Sequence, residues 1–293
     1  MNYKILCGDN KDLLRQLDEN SIDVCITDPP YGMEIAGVGW DKDVPPAETW
    51  SEVLRVLKPG AWCLSFCSPE LYHRMATKME DGGFVIRDMV MWIITTKMAK
   101  QNKLKPAHEP VAVAQKPISE STIKANIERW GTGTINIEGN RVPWEGKPPT
   151  GWVSGGAKRR AFGSDVAKST EQETQRVDAN PNGRYPSNVV GLFDEPAHQK
   201  YFYAPRVSRK ERGEYNTHPT PKPIDLMRWL VSVYTPQGES TVLDPFCGSG
   251  STGIAAIQEN YSFIGMDKSV EYCDIANQRI RDNTETDNLF EFS

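Results

Sequence analysis

The stretch Thr241-Val-Leu-Asp-Pro-Phe-Cys-Gly-Ser-Gly-Ser-Thr-Gly-Ile-Ala-Ala constrains this chain more than any other part of it. An apolar run of strand type meets glycines at 248, 250 and 253 and passes straight into a helical run, so the backbone must turn sharply at a strand end. Missing side chains there let a ligand approach the main chain. Asp267, at the end of the next predicted strand, is placed to accept hydrogen bonds from ribose hydroxyls. Strand, glycines, helix and following acid together point to an adenosine-containing ligand, without saying which one. Only 40 residues follow Gly253, whereas a nicotinamide-dependent oxidoreductase would place its substrate domain after such a loop. The rest of the sheet therefore comes from upstream. That order implies a circularly permuted, doubly wound α/β fold with the cofactor half written last.

The upstream sequence has α/β grammar. Ile22–Thr27 is a short β-branched run ending at a proline pair, and Trp50, Val53, Leu54 and Leu57 fall at helical spacing before a Pro59-Gly60 stop. Strands are expected at 61–66, 84–94 and 110–114, with mostly parallel pairing. After about residue 97 the periodicity fades into Gly, Pro, Asn and Arg, which reads as loops and short strands up to 212. Within it, 145–183 has few large apolar residues, the composition of a segment that orders on a partner. Order returns with an apolar helical stripe at Ile224, Met227, Leu230, Val231 and Tyr234, a strand at 241–243, a helix at 250–259, a strand at 262–266 and a helix at 269–281 capped by Ser269.

A second feature carries chemistry. Thr27-Asp28-Pro29-Pro30-Tyr31-Gly32 lies at the carboxyl end of a predicted strand, where open α/β sheets place their ligands. Two prolines stiffen the turn, so the Asp28 carboxylate and the Pro29 carbonyl can both accept from one amino group, with Tyr31 beside them as an aromatic plate. An amino nitrogen on a heterocyclic base is a poor nucleophile because its lone pair is conjugated into the ring. Two acceptors aimed at its hydrogens favour the pyramidal, attacking form. A base in a duplex must first leave the stack, and an aromatic ring returns part of that cost.

With both features in view, the sequence resembles the amino-directed DNA methyltransferases of the β arrangement, in which DPPY comes first, a target-recognition region follows and the cofactor motif comes last. The blocks CGDN, SIDVCITDPPYG, EVLRVLKPGAW, HPTPKPIDLMRWL, VLDPFCGSGSTGIAA and FIGMDKSVEYCDIANQRI carry the resemblance over nearly the whole chain. GTGTINIEGNRV, GRYPSNVV and YAPRVSRKERGEYNTHPTPKP are similar to orphan enzymes of phages and prophages. The resemblance implies the S-adenosylmethionine-dependent methyltransferase sheet, with a catalytic half at 1–96, a recognition insert at 97–212 and a cofactor half at 213–293. It also implies roles. Asp28, Pro29, Pro30 and Tyr31 form the catalytic turn, and transfer is direct, with no covalent intermediate. Asp244, Phe246, Gly248, Ser249, Gly250, Ser251 and Thr252 line the cofactor, Asp267 binds its ribose and Asp9 faces its adenine. His218, Thr220 and Lys222 close over its methionine end, the Lys222 ammonium meeting the carboxylate. Many relatives carry Glu where Asp267 stands.

Adenine N6 is the expected target, because Asp at the first position of the turn is more typical of N6 enzymes and Ser of cytosine N4 enzymes. Carbon-5 methylation of cytosine is excluded, since the chain has no Pro-Cys turn to present a nucleophile. Cytosine N4, an RNA adenine, a nicotinamide-dependent oxidation and a non-catalytic nucleic-acid module remain the alternatives. Charge is uneven: 1–96 has 9 Lys/Arg against 15 Asp/Glu, 97–212 has 20 against 12, and 213–293 has 5 against 12. A basic insert between acidic halves suits phosphate contacts on double-stranded DNA, with Lys158, Arg159, Arg160, Arg206, Arg209, Lys210 and Arg212 the expected ones. Six scattered cysteines give no disulfide framework and no metal site; Cys63 and Cys67 read as core residues. No apolar run is long enough to span a membrane and no secretory signal opens the chain, so a cytoplasmic enzyme is expected. Relatives in this arrangement are often homodimers, which is the assembly expected here.

Overall fold

The computed structural model describes residues 2–32, 43–94, 107–144, 150–154, 174–191, 215–218 and 220–285. In chain order the first elements are β1 (Tyr3–Cys7), α1 (Asn10–Leu14), β2 (Ile22–Thr27), α2 (Ala47–Val56), β3 (Leu57–Phe66), α3 (Tyr72–Asp81), β4 (Val85–Ile93), β5 (His108–Gln115) and α4 (Ile123–Trp130). They are followed by β6 (Thr150–Ser154), β7 (Thr174–Asp178), β8 (Val189–Gly191), α5 (Ile224–Tyr234), β9 (Thr241–Asp244), α6 (Ser251–Gln258), β10 (Ser262–Asp267) and α7 (Val270–Glu285).

Eight strands form one sheet in the order β1-β10-β9-β2-β3-β5-β4-β8. The first five run parallel, as expected, and β5 runs against both β3 and β4. Strands from the two ends of the chain thus interleave: β9 and β10 lie between β1 and β2, which is the permuted, doubly wound arrangement that the C-terminal position of the glycine loop demanded. At the centre β2 pairs with β9, Val24 opposite Val242 and Cys25 opposite Leu243. All six residues of β2 are buried, as a parallel strand covered on both faces requires. Its one charge, Asp23, accepts from Lys58 Nζ at 2.6 Å and from the Thr241 amide at 2.9 Å, so a buried carboxylate joins three strands.

The helices form where their apolar faces find this sheet. Trp50, Val53 and Val56 of α2 are buried, and all five residues of the α5 stripe are too. β3 begins at Leu57, earlier than expected, because the chain at Pro59-Gly60 stays paired: the Gly60 amide donates to Lys116 O at 3.1 Å. Ser269 caps α7 as expected, its hydroxyl accepting from the Tyr272 amide at 3.3 Å. Cys63 and Cys67 are buried thiols in and just beyond β3.

Two differences from the sequence expectations stand out. The compact units divide as 1–136 with 187–293, and 137–186, not at 97 and 212. β5 belongs to the first unit because Val111–Ala114 is buried within the sheet, and α4 packs on β3. α4 was not expected from periodicity and is defined by its ends: Thr122 accepts from the Ala125 amide at 3.1 Å, and Gly131 terminates the helix at φ 76°. The second unit holds a 3-10 turn at Glu138–Asn140 and the antiparallel β6-β7 pair. Arginines on aromatic rings tie it together, Arg184 5.1 Å from the Trp144 ring and Arg141 4.7 Å from that of Tyr185. Among the described residues no helix is long and apolar enough to cross a membrane.

Candidate active site

Parallel pairing of β2 with β9 brings two sequence features 216 residues apart to one edge of the sheet, because both strands have their carboxyl ends there. After β2 comes the acceptor turn. Pro29 is buried, and Tyr31 is 9% exposed. The Tyr31 hydroxyl donates to Asp28 Oδ1 at 2.5 Å, and Lys222 Nζ donates to Asp28 Oδ2 and, at 3.3 Å, to Tyr31 Oη. Glu109 Oε2, from the start of β5, lies 3.8 Å from the same ammonium. Burial first, then the Asp28 and Glu109 carboxylates, push the Tyr31 phenol well above its ordinary value, so it stays protonated and donates. Burial works to discharge Lys222, but the same two carboxylates outweigh it and hold the ammonium above the usual lysine range. In this structure the Lys222 ammonium thus meets the acceptor turn. Lys222 stands two residues before α5, and its side chain reaches the acceptor turn from there.

Asp244 ends β9 and leads into the glycine loop. It is 2% exposed and faces inward. Oδ1 accepts from Thr27 Oγ1 at 2.6 Å and from the Phe246 amide at 3.1 Å, and Oδ2 accepts from Thr252 Oγ1 at 2.6 Å. It therefore braces the last residue of β2 against the first turn of α6. Burial pushes its carboxyl up to about 6, the three hydrogen bonds pulling the other way. The hydroxyls of Ser249 and Ser251 are taken as well: buried Arg279 of α7 donates through Nη1 to Ser249 O at 2.5 Å, Ser249 Oγ at 2.9 Å and Ser251 Oγ at 3.4 Å. Ser249, Ser251 and Thr252 thus turn their side chains into the protein. Arg279 and Glu109 carry no sequence signal of a role; their partners come from other elements.

What remains open at this edge fits a nucleoside. Gly248 and Gly250 have φ of 48° and 80°, and a Cβ at Gly248 would lie 2.9 Å from His218 Nε2. The His218 ring, edge-on to Tyr272 at 4.7 Å between centroids, closes over the loop. Half-buried Phe246 opens it. Asp267 Oδ2 accepts from the Gly248 amide at 3.0 Å and Oδ1 from the Ser269 amide at 2.8 Å, each oxygen retaining a second lone pair for a hydroxyl. Burial raises this carboxyl from its ordinary value. β1 pairs with β10 so that Cys7 faces Asp267. Asp9, two residues on, lies exposed at the same edge and caps α1 by accepting from the Lys11 amide at 2.9 Å. Thr220 is exposed, and its amide donates to His218 Nδ1 at 3.4 Å. The structure thus gathers Asp9, His218, Phe246, Gly248, Gly250 and Asp267. Lys158, Arg159, Arg160, Arg206, Arg209, Lys210 and Arg212 lie outside the described residues.

A rigid acceptor turn beside a glycine-loop nucleoside cleft, on adjacent strand ends of a permuted α/β sheet, defines a class of group-transfer enzymes that act on amino groups. The chain belongs to the N6/N4 methyltransferase family, described as DNA methylase, whose model matches residues 22–278. It is 26% identical to the Type II methyltransferase M.HpaI of Haemophilus parainfluenzae over 288 residues, covering 96% of this chain and 74% of that one. The solved structure of M1.HpyAVI in complex with SAM superposes with a TM-score of 0.55 at 19% identity, over 95% of this chain and 98% of its own. PvuII DNA methyltransferase, described as cytosine-N4-specific, superposes with a TM-score of 0.60 at 16% identity, over 98% and 92%.

Proposed function

We propose that this chain is an S-adenosylmethionine-dependent, site-specific DNA methyltransferase that modifies the exocyclic N6 of adenine in a base flipped out of double-stranded DNA. The observation that carries the reading is the adjacency of the two loops: the Asp28 turn and the Gly248 loop project from neighbouring parallel strands and share the Asp244 brace. Bound S-adenosylmethionine would supply a methyl group on a cationic sulfur. The residues of the turn do the rest. Asp28 and the Pro29 carbonyl accept from the target amino group, and the Tyr31 hydroxyl yields Asp28 Oδ1 to it. The nitrogen lone pair then forms the N–C bond as the C–S bond breaks, its electron pair staying on sulfur. The nitrogen carries a positive charge until it releases a proton to solvent. Stacking on Tyr31 returns about 1–3 kcal/mol of the cost of extruding the base.

Asp at the head of the turn supports adenine. Cytosine N4 is the second reading, supported by the superposition on PvuII DNA methyltransferase. The enzyme works in the cytoplasm, as a homodimer, with the residues gathered around Gly248 and Asp267 holding the cofactor. The test incubates the protein with unmethylated bacterial or phage DNA and labelled S-adenosylmethionine, then identifies the labelled nucleoside by mass spectrometry. N6-methyladenine is expected, and N4-methylcytosine would reassign the base. Asp28→Ala is expected to lower the methylation rate on the order of 10²–10³-fold, with binding of S-adenosylmethionine and DNA kept. Equal loss of binding would make Asp28 a structural residue.

A further inference from the structure

The acceptor turn is part of a larger charged cluster that the methyltransferase reading leaves unexplained. Lys222 is 8% exposed and lies between two carboxylates, donating to Asp28 and standing 3.8 Å from Glu109. Its ammonium is further enclosed by aromatic faces, 5.0 Å from the Phe66 ring centre and 5.6 Å from that of Tyr31. Glu109 arrives from β5, the strand that runs against its neighbours. Because Phe66, the last residue of β3, pairs with Val111 near the start of β5, antiparallel pairing puts the first residues of β5 at the edge where the parallel strands end. A parallel strand there would have delivered its last residues.

We propose that Glu109 is a positioning residue of the acceptor pocket: it holds the Lys222 ammonium between two carboxylates, so that Asp28, Glu109 and Lys222 sum to one negative charge facing the amino group. The inference rests on the amino-methyltransferase reading, in which that amino nitrogen becomes positive as the N–C bond forms. Asp28 and Lys222 alone would be a neutral pair, with a bare ammonium beside a nitrogen gaining charge of the same sign. A fixed carboxylate on the far side of the ammonium draws it back and favours the charged transition state over the neutral ground state, which raises rate without tightening binding. It also explains why a lysine is tolerated within hydrogen-bonding reach of the acceptor oxygens.

The test is a charge-compensation cycle with Glu109→Gln, Lys222→Met and the double variant. Methylation of unmethylated phage DNA is followed at saturating S-adenosylmethionine, with thermal melting and calorimetric cofactor affinity on the same samples. Glu109→Gln removes the negative sum and is expected to lower kcat on the order of 10²-fold, with KM for DNA and cofactor affinity within about twofold of wild type. Adding Lys222→Met restores one net negative charge and is expected to recover at least about a tenfold faster rate than Glu109→Gln alone. Should Glu109→Gln melt out at the assay temperature, Glu109→Asp keeps the charge and is expected to retain most of the wild-type kcat. An unchanged kcat in Glu109→Gln, a double variant no faster than it, or a Glu109→Asp protein that is folded yet as slow as Glu109→Gln overturns the proposal. A wild-type protein that methylates no DNA overturns the parent reading instead.

Discussion

Asp244 is an acid in a place that disfavours charge. It is buried, and the hydroxyls of Thr27 and Thr252 with the Phe246 amide satisfy its oxygens but bring no cation. Its folded value of about 6 stands above that of an exposed aspartate, about 3.9. Folding therefore favours the protonated form, so this group's contribution is complete below about pH 4 and is lost as pH rises through about 6. Asp244→Asn keeps the shape, and its amide can keep three hydrogen bonds if one threonine hydroxyl reverses. Against this variant, wild type is expected to lose about 2 kcal/mol between pH 4 and pH 7.5, measured by urea denaturation across that range. Parallel stability curves would mean that the carboxyl titrates as if exposed. The sequence names Asp244 as part of a loop that meets a ligand. Its inward turn depends on Thr27, which lies 217 positions away and is met only through strand pairing.

At the scale of elements, the glycine loop is held by α7. Gly250 starts α6 with φ 80°, and a Cβ there would come within 3.0 Å of the Ala276 Cβ and 3.1 Å of its Cα. Gly131, with φ 76° and open space around it, provides the comparison. Gly131→Ala is expected to lose only the left-handed strain, about 1–2 kcal/mol. Gly250→Ala is expected to lose a further 1–3 kcal/mol or so from overpacking against α7, and to weaken cofactor binding because Arg279 moves with that helix. Melting curves for both variants and calorimetry for the second check this. Equal losses would show that α7 yields without consequence. The strong elements were readable because their apolar positions repeat: the α5 stripe and the β2 run needed only periodicity. The strand expected at 110–114 is the middle of β5, whereas α4 was not read, because a short helix is defined by its two caps.

At the scale of the whole molecule, an acidic chain of net charge −5 must approach a polyanion. The basic stretch 97–212 is the part suited to it. Replacing Lys158, Arg159 and Arg160 by alanine is expected to weaken DNA binding and to flatten its dependence on salt by up to about one unit of log–log slope per lost phosphate contact. Titrations at several salt concentrations measure it, and an unchanged slope removes this cluster from the footprint. The permuted order has a further consequence at this scale. β9 and β10 complete the sheet between β1 and β2, so the core closes only when the C-terminal residues are in place. Ligand cleft and acceptor turn are created by that same closure.

The sequence by itself determined the fold class, the permuted order and the two loops that carry chemistry. Glycines and prolines restrict the backbone locally, and periodicity reports burial wherever an element is long enough. Tertiary structure alone decided what each polar side chain does. It turned Asp244, Ser249, Ser251 and Thr252 inward, moved Lys222 to the acceptor turn and added Glu109 and Arg279. The physical reason is that a hydrogen bond or ion pair requires its partner within a few ångströms, and here the partners come from strands and helices that meet only once the sheet is assembled.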